Sequence, residues 1–392
     1  MSAPDVGDDE RRLVDEVLRS GRLSMGPMLA RFEEEFAAHA GVPHAVGVSS
    51  GTAGLHLGMI AAGVGDGDLV VTSPFSFVAS ANAILYERGI PVFVDIDPET
   101  LALDAGLAAE AVESLARRLP DRGRWLPRGA RVSPGTLRAV VPVHVFGRPA
   151  EIDGLAAAAR GYGVALVEDA CEAVGARTGG RPAGTAGDAG VFAFYPNKQM
   201  TTGEGGMLVT AHATWDELFR SLRNQGRDGD ARWLHHVRLG FNYRLDEMSA
   251  AVGLAQLRRL DALLQGRRAV ASAYDVRLKS VAGVSPLSAP GPQAEKSWFV
   301  YVVRLDPAID RTRLMERLEA RGVPTRPYFS PIHLQPFYRD RFGFEPGDFP
   351  HAEEAARRLL ALPFHAGLAE DDLDYVCGCL ADESARARDS AA

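Results

Sequence analysis

One lysine of this chain stands in a glycine-dense turn directly after a short apolar run. The run is Val191–Phe194, and Lys198 follows it by four residues. Upstream, a second apolar run ends in the acidic pair Glu168 and Asp169. A lysine amine can form a Schiff base with the aldehyde of pyridoxal 5'-phosphate, and a carboxylate can keep the ring nitrogen of that cofactor protonated. The lysine and the acidic pair together therefore predict a pyridoxal-phosphate site.

A candidate phosphate site lies near the N-terminus. The stretch Gly47–His56 has a strand end, a Ser-Ser-Gly-Thr turn and a helix start in that order, so N–H groups and hydroxyls converge on a helix N-terminus. Gly51 and Thr52 are the predicted anion ligands, although Ser and Thr also cap helices that bind nothing. Gly63–Gly67 follows a helix and precedes a strand, the reverse of a dinucleotide-binding loop, and is predicted to be a turn.

The acid that faces the ring is expected at a strand end, because ligands bind at the carboxyl ends of strands in open α/β sheets. Asp169 fits that position, and the competing interpretation is a carboxylate that caps the next helix. Glu172 would reach the phenolic edge of the ring or the substrate. Phe77, just beyond the strand Leu69–Thr72, could stack on the ring or belong to the core.

The bulk properties exclude several classes of protein. A chain of 392 residues fits about two domains of roughly 100–200 residues each. A net charge of −8 and a pI near 5.7 argue against nucleic-acid binding. Without a secretory leader or a membrane-length apolar run, we expect a cytoplasmic protein with no membrane contact. The cysteines Cys171, Cys377 and Cys379 predict buried thiols, with no disulfide framework and no metal site.

Strand-like and helix-like segments alternate along the first part of the chain, which predicts an α/β fold with a mostly parallel sheet flanked by helices. The predicted strands are Ala45–Val48, Leu69–Thr72, Pro91–Val94, Ala139–His144, Ala165–Glu168, Ala189–Phe194 and Met207–Val209.

The pattern changes after a long predicted helix that begins near Asp246. We expect this helix to bridge a large cofactor-binding domain with an N-terminal arm, residues 1–262, and a smaller α+β domain, residues 263–392. The smaller domain is predicted to contain a strand over Trp298–Val303 and a helix over Arg313–Ala320. The Arg-rich segment 115–134 interrupts the alternation, and we predict an exposed excursion in preference to a phosphate-binding loop.

The ordered series of motifs resembles the DegT/DnrJ/EryC1/StrS family of sugar aminotransferases, which are fold type I pyridoxal-phosphate enzymes. The resemblance covers almost the whole chain and is specific as a series, although each piece alone is not. Its parts are Gly26-Pro27, Phe32–Ala37, Ser49–His56, Val94–Asp97, Pro142–Gly147, Glu168–Gly175, Asn197–Gly206, Gly240–Arg244 and Leu362–His365.

The resemblance implies a role for each candidate residue. Lys198 would form the Schiff base and act as general acid and base, and Asp169 would pair with the ring nitrogen. Thr52 and the backbone of Gly51 would hold the phosphate, and Phe77 would stack on the ring.

Three further positions are implied by the resemblance. Asn242 would reach the phosphate in the neighbouring subunit, so that a homodimer with shared active sites is required for catalysis. Glu204 and His333 would lie near the substrate.

The chain differs from many members of the family at two positions, Ala193 and Glu172. Many relatives carry a phosphate-binding serine five residues before the lysine, where this chain has Ala193, so another group or water must replace it. Many have Gln where this chain has Glu172, but Glu is typical of relatives that resemble perosamine synthase and aminate a nucleotide-linked 4-keto-6-deoxy sugar.

The predicted reaction moves an amino group from L-glutamate to the keto group of a nucleotide-activated keto-deoxysugar, while the cofactor alternates with pyridoxamine phosphate. Amination of a cyclitol ketone is the first alternative, and a non-catalytic pyridoxal-phosphate-binding regulator is the second. The family also resembles sugar dehydratases that have histidine at the lysine position, and Lys198 argues against that activity.

Overall fold

The computed structural model describes residues 2–129, 134–227, 235–287, 291 and 293–389. The strands in these residues are β1 (His44–Val48), β2 (Leu69–Thr72), β3 (Ile90–Phe93), β4 (Leu137–Val141), β5 (Ala165–Asp169), β6 (Arg177–Thr178), β7 (Arg181–Pro182), β8 (Ala189–Ala193), β9 (Gly206–Thr210), β10 (Val284–Pro286), β11 (Ala294–Glu295), β12 (Tyr301–Leu305) and β13 (Leu359–Leu362).

The α-helices in the same residues are α1 (Asp8–Ser20), α2 (Pro27–Ala40), α3 (Gly51–Ala61), α4 (Ala79–Tyr86), α5 (Ala105–Ala116), α6 (Asp153–Gly161), α7 (Ala213–Arg223), α8 (Glu247–Arg258), α9 (Leu260–Leu278), α10 (Arg311–Ala320), α11 (Pro336–Phe342), α12 (Pro350–Arg358) and α13 (Glu370–Asp389). Short 3-10 helices occur at Pro120–Trp125, Val145–Gly147 and Ile332–Leu334.

Seven strands form the large sheet, in the order β1-β9-β8-β5-β4-β2-β3. Each of the seven strands predicted from the sequence overlaps one of them. Only β9 runs against its neighbours β8 and β1, and the other pairs are parallel. The predicted α/β class with a mostly parallel sheet is therefore confirmed. Because the parallel strands share one direction, their carboxyl ends meet at one edge.

Helices cover both faces of this sheet, which is why its strands read as apolar runs. Side chains alternate across each strand, so neighbours in sequence enter different cores. Phe192 packs with α1, α2 and α8 on one face, whereas Val191 packs with α3 on the other.

A second, antiparallel sheet has the order β10-β12-β13 and packs against α9, α10 and α13. The predicted strand over Trp298–Val303 begins later, at Tyr301, because Trp298 has a left-handed backbone with φ of 55°. The predicted helix over Arg313–Ala320 begins two residues earlier, at Arg311, where the carboxylate of Asp310 caps it.

The long helix predicted from Asp246 is in fact two helices. Asp246 caps α8, which ends at Arg258, and α9 begins at Leu260. The first turn of α9 packs into the core beneath the large sheet, and Val270 and later residues pack into the core of the second sheet. The predicted boundary at residue 262 lies inside α9 and remains a prediction.

The Arg-rich segment continues α5 and includes the 3-10 helix Pro120–Trp125. Its exposed arginines pair with carboxylates, including Arg117 with Glu113 and Arg128 with Asp348. These pairs agree with an exposed excursion. Residues 130–133, which include Arg131, lie outside the described residues.

Two remaining expectations concern thiols and membranes. Cys377 and Cys379 are free and buried, as predicted, whereas Cys171 is free but only half-buried. Within the ranges that the structure describes, no helix combines the length and apolar character needed to cross a membrane.

Candidate active site

A cavity of about 580 Å³ opens at the carboxyl edge of the large sheet. Most of the residues predicted for the site line it, namely Gly51, Thr52, Phe77, Asp169, Glu172, Ala193, Lys198 and Glu204. Phe299 and the segment Pro327–Ser330 form its opposite wall. The cavity therefore lies between the strand ends of the large sheet and segments from the C-terminal part of the chain.

Lys198 lies in the turn that follows β8. Its main-chain N–H donates a hydrogen bond to the carbonyl of Tyr195 at 2.9 Å, and its side chain is 13% exposed. The amine Nζ lies 3.7 Å from Oε1 of Glu172 and 4.0 Å from the ring centroid of Phe299. The only basic group that lines the cavity in the described residues is thus held between a carboxylate and an aromatic face.

Asp169 ends β5 with its side chain toward the cavity. Oδ2 accepts a hydrogen bond from Ser80 at 2.8 Å, and Oδ1 accepts one from the main-chain N–H of Cys171 at 3.1 Å. No described α-helix begins directly after Asp169, so the helix-cap interpretation does not apply. Ser80 lies 2.7 Å from Ser76, which also lines the cavity, and these two hydroxyls orient the carboxylate.

Glu168 points to the opposite face of the same strand, as strand periodicity requires. Its carboxylate accepts hydrogen bonds from the main-chain N–H groups of Gly184, Ala186 and Gly187. Nδ1 of His144 accepts a hydrogen bond from the main-chain N–H of Ala150, so Nε2 carries the proton. Nε2 donates it in a hydrogen bond to Glu168 at 2.9 Å. Burial alone would raise the pKa of Glu168, but these donors hold it below its usual range.

Glu172 is the second acid that lines the cavity. Its Oε2 accepts a hydrogen bond from the main-chain N–H of Phe146 at 2.9 Å, and its Oε1 faces Lys198. Burial raises the pKa of Glu172, and the nearby charge of Lys198 and the N–H of Phe146 only partly oppose that effect. Glu172 and Glu168 are therefore four residues apart with pKa shifts in opposite directions.

The Ser-Ser-Gly-Thr turn forms the start of α3. Ser50 caps the helix by accepting a hydrogen bond from the N–H of Ala53 at 3.0 Å. A Cβ on Gly51 would lie 2.7 Å from Cβ of Ala193 and 2.8 Å from Sγ of Cys171. Only glycine fits that close approach. Gly51, Thr52 and Ala193 therefore line a narrow depression at the N-terminus of α3, which we call the cup. The first N–H groups of a helix have no acceptor within the helix and are suited to bind an anion.

Phe77 and Glu204 line the cavity but are exposed to solvent, Phe77 at 62%. Asn242 is also exposed and does not line the cavity of its own chain. It pairs with Asn224, and the carbonyl of its neighbour Tyr243 accepts a hydrogen bond from Ser49 just before the turn. The segment that carries Asn242 is thus joined to the start of the Ser-Ser-Gly-Thr turn, while Asn242 itself lies outside the cavity.

His333, which the family resemblance places near the substrate, lies in the packed interior of the protein. Its side chain is fully buried, Nε2 lies 3.1 Å from Oε1 of Glu353, and its ring packs against Phe349. It does not line the cavity. Burial lowers the pKa of His333 despite that carboxylate. His333 therefore packs in the C-terminal part of the chain, and its nearness to the substrate stays a prediction.

Several residues at the site were missed in the sequence. Asn197 lines the cavity, and its buried Oδ1 has no hydrogen-bond partner among the described residues. Ser80 and Phe299 contact Asp169 and Lys198 from positions 89 and 101 residues away in the chain. Asn197 could have been found by its place next to the lysine, but the other two carry no local signal.

The comparisons with known proteins agree with this geometry. The family model for the DegT/DnrJ/EryC1/StrS aminotransferase family matches residues 4–381. GDP-perosamine synthase from Caulobacter vibrioides is 35% identical over 383 residues, which are 97% of this chain and 96% of that protein.

Two solved structures show the same architecture over nearly the full length. The aminotransferase TlmJ from Streptoalloteichus hindustanus superposes with a TM-score of 0.86 at 35% identity, covering 98% of each chain. 3-Amino-5-hydroxybenzoic acid synthase gives 0.85 at 29% identity, also covering 98% of each chain. GDP-perosamine synthase and 3-amino-5-hydroxybenzoic acid synthase are named for different products, so the fold alone does not select an acceptor. The chain belongs to the DegT/DnrJ/EryC1/StrS aminotransferase family.

Proposed function

We propose that this aminotransferase uses pyridoxal phosphate to move an amino group from L-glutamate to the keto group of a nucleotide-linked keto-deoxysugar, with a 4-keto-6-deoxyhexose favoured. The observation that carries the proposal is that Lys198, Asp169 and the Gly51-Thr52 turn line one cavity. These are a nucleophilic amine, an acid for a ring nitrogen and an anion cup, and they lie in a single space large enough for a cofactor and a substrate.

The residues present fit pyridoxal phosphate. The narrow approach at Gly51 leaves the α3 N–H groups open to an anion, and Thr52 adds a hydroxyl beside them. The buried Oδ1 of Asn197 has no hydrogen-bond partner among the described residues, and a bound ligand would supply one. When bound, the cofactor supplies an aldehyde for Lys198 and a ring that stabilises a carbanion.

The remaining chemistry belongs to the protein. Asp169, oriented by Ser80, accepts a hydrogen bond from the protonated pyridine nitrogen. Lys198 Nζ takes the proton from the α-carbon of the amino donor and acts as general acid and base in both halves of the reaction. Glu172 lies 3.7 Å from that amine and accepts the N–H of Phe146, so it orients Lys198 from one side.

The acceptor class rests on two observations. The relative named GDP-perosamine synthase is 35% identical, and Glu172 matches the acid that the sequence comparison associates with that subgroup. Phe77 at 62% exposure and the exposed Glu204 lie at the outer part of the cavity, where a sugar substrate would enter. Phe77 is also the proposed stacking partner of the cofactor ring.

We also propose a homodimer with shared active sites. Asn242 is exposed and does not line the cavity of its own chain, and the preceding residues Val237 and Leu239 are exposed at 42% and 86%. Exposed apolar side chains next to an exposed polar group outside its own cavity suit contact with a second copy. Asn242 would then reach the phosphate cup of the partner.

The lysine assignment can be tested by chemical trapping, because the chain contains only Lys198, Lys279 and Lys296. Borohydride reduction of the loaded protein should fix the cofactor on the Lys198 peptide. Burial lowers the pKa of Lys296 to about 7, so that amine is the reactive competitor. The site assignment would be rejected if wild-type protein carried the adduct on Lys296 and none on Lys198, and if the Lys296 adduct persisted in K198A.

The substrate class is tested with protein loaded with pyridoxamine phosphate. It is mixed with nucleotide-linked 4-keto sugars, 3-keto sugars, cyclitol ketones or an aromatic precursor ketone, and the return of the lysine-bound cofactor absorption is followed. We expect return only with the 4-keto sugars. Return with a cyclitol ketone alone would replace the proposed acceptor, and no conversion by L-glutamate would favour a non-catalytic binder.

Sharing of the sites is tested by mixing two inactive variants, K198A and N242A. A mixed dimer has one site that carries both changes and one that carries neither. Unfolding and reassembling an equal mixture should restore about a quarter of wild-type activity, since half of the dimers are mixed. If the mixture stays inactive while each variant binds cofactor and dimerises, the sites are not shared.

A further inference from the structure

A buried arginine behind the lysine turn donates hydrogen bonds only to main-chain carbonyls among the described residues. Arg267 lies on α9 and is 5% exposed. Its Nη2 donates a hydrogen bond to the carbonyl of Lys198 at 2.7 Å, and its Nη1 donates to the carbonyls of Trp298 and Phe299, both at 3.2 Å. No ion pair joins Arg267 to a carboxylate in the part of the chain that the structure describes.

A guanidinium buried without a counter-ion is costly unless its donors are satisfied. Burial lowers the pKa of Arg267 to about 10, so the group remains charged near neutral pH. The three carbonyl dipoles and the ring of Phe364, 5.6 Å from Cζ, are the groups that stabilise it. His365 is a titratable group near Arg267. Burial is the main cause of the lowered pKa of His365, and the positive charge of Arg267 lowers that pKa further.

The chain bends to deliver two of these carbonyls. Successive carbonyls of an extended strand point in opposite directions, so two neighbours cannot both reach one nitrogen. Trp298 adopts a φ of 55°, a left-handed conformation that is unfavourable for a bulky residue. The bend turns the carbonyls of Trp298 and Phe299 toward Arg267 and directs the ring of Phe299 to 4.0 Å from Nζ of Lys198.

A second side chain joins the same two segments. Gln199 follows Lys198 and is 2% exposed, and its Nε2 donates to Oγ of Ser297 at 2.7 Å and to the carbonyl of Glu172 at 2.5 Å. The lysine turn is therefore connected to residues 297–299 at two adjacent positions, at Lys198 through Arg267 and at Gln199 directly. Arg267 is the only charged member of these ties.

We infer that Arg267 is a positioning residue that holds Lys198 at both ends, its main chain by a direct hydrogen bond and its amine through the Phe299 ring. The inference rests on the proposed role of Lys198 in the reaction. Arg267 itself contacts none of the reacting atoms. Its removal is expected to let the amine swing away from Glu172 and Phe299, with the cavity otherwise intact.

The test measures the amine directly in cofactor-free protein. Trace acetylation with acetic anhydride labels unprotonated amines, and peptide mass spectrometry gives the labelling of Lys198 relative to the exposed Lys279. In R267M we expect this ratio to rise by on the order of tenfold, the loss of about one hydrogen bond to a charged group. R267K should give a smaller rise, because one ammonium cannot span both sets of carbonyls.

A matched control separates positioning from loss of a buried charge. Arg311 is a half-buried arginine whose pKa is lowered by burial and whose Nη1 donates to the carbonyls of Ala356 and Leu359, away from the cavity. R311M should leave the labelling ratio unchanged. An equal rise in R311M, or an unchanged ratio in folded R267M, would overturn the inference. If R267M does not fold, R267K and F299L provide the comparison, and a flat ratio in both would reject it.

A kinetic readout keeps this inference separate from the proposed function. In loaded enzyme, R267M should lower kcat by on the order of tenfold or more while the KM for the amino donor changes by less than about threefold. If wild-type protein forms no adduct at Lys198 but the labelling ratio still rises in R267M, the proposed function fails and the positioning role stands. A rise in KM alone would contradict positioning.

Discussion

The end of β5 carries two adjacent carboxylates whose surroundings differ on the two faces of the large sheet. Glu168 is fully buried and accepts hydrogen bonds from His144 and from three N–H groups of the 184–187 loop. Asp169 is nearly as buried but accepts from one hydroxyl and one N–H, and it lines the cavity. Burial and charge alone therefore do not distinguish the two acids, whereas the number of donors bound to each carboxylate does, and it favours Asp169 as the proposed functional acid.

The largest effect is expected from Asp169→Asn. The amide cannot balance the charge of a protonated ring nitrogen, so we expect kcat to fall by roughly 10²–10⁴-fold. Because only two hydrogen bonds are altered, the free energy of unfolding of cofactor-free protein should change by no more than about 1 kcal/mol. Steady-state kinetics and urea unfolding measure the two quantities. A large loss of stability with activity retained would reverse the roles assigned to the two acids.

Glu168→Gln should show the opposite pattern. The amide leaves donors of the 184–187 loop or His144 unpaired in a buried site, so we expect a loss of about 3 kcal/mol in the free energy of unfolding. The activity of each folded molecule should fall far less than in D169N. Urea unfolding of the cofactor-free proteins at neutral pH gives the comparison.

The pH dependence provides a control for that variant. The folded-state pKa of Glu168 is depressed, so its contribution is present above the unfolded pKa of about 4.3 and is lost as pH falls through the folded value. The stability difference between wild type and E168Q should therefore be constant near neutral pH and shrink below about pH 4. A difference that grows on acidification would show that another group is responsible.

Glu172→Gln is expected to change stability with the opposite sign. Burial raises the folded-state pKa of Glu172, so the ionised form is penalised and stability falls as pH rises from about 4.3 toward the folded value. Removing the ionisable group should stabilise cofactor-free protein at pH 7.5 by up to about 1 kcal/mol, with little effect at pH 4. The amide can still accept from Phe146, and equal destabilisation at both pH values would contradict this assignment.

The smallest effect is expected from Ala193→Ser, which adds a hydroxyl opposite Gly51 in the proposed phosphate cup. One additional hydrogen bond should lower the Kd for pyridoxal phosphate by roughly two- to tenfold. Absorbance titration measures the Kd, and A183S, at a buried alanine outside the cavity, serves as the control. An unchanged Kd would show that the cup does not bind the phosphate through position 193.

Much of this site could be predicted because its groups lie at the ends of strands. The seven apolar runs predicted the strands of the large sheet, and the common direction of β1, β5 and β8 brought Gly51, Asp169 and Ala193 to one edge. Lys198 follows one of those strands by a short turn. Each of these positions depends on local sequence and on one topological rule, so little tertiary information was needed.

Other features depend on contacts between distant parts of the chain. The environment of His333 is one, because its partner Glu353 is 20 residues further along and nothing local indicates that the pair is buried. The strand at Trp298 was placed too early because an apolar run cannot reveal a left-handed residue within it. In both places, a distant side chain competes with the local pattern.

The sequence alone determined the mostly parallel sheet and the family, and it predicted which lysine and which acid reach the carboxyl edge, because period-two alternation and short turns set those positions. Only the tertiary structure decided what holds them there. Ser80 orients Asp169, and Arg267 ties Lys198 to Phe299 through main-chain carbonyls. Every residue has a main-chain carbonyl, so the type of a residue does not indicate which side chain binds its carbonyl. Only the packing of the chain decides that partner.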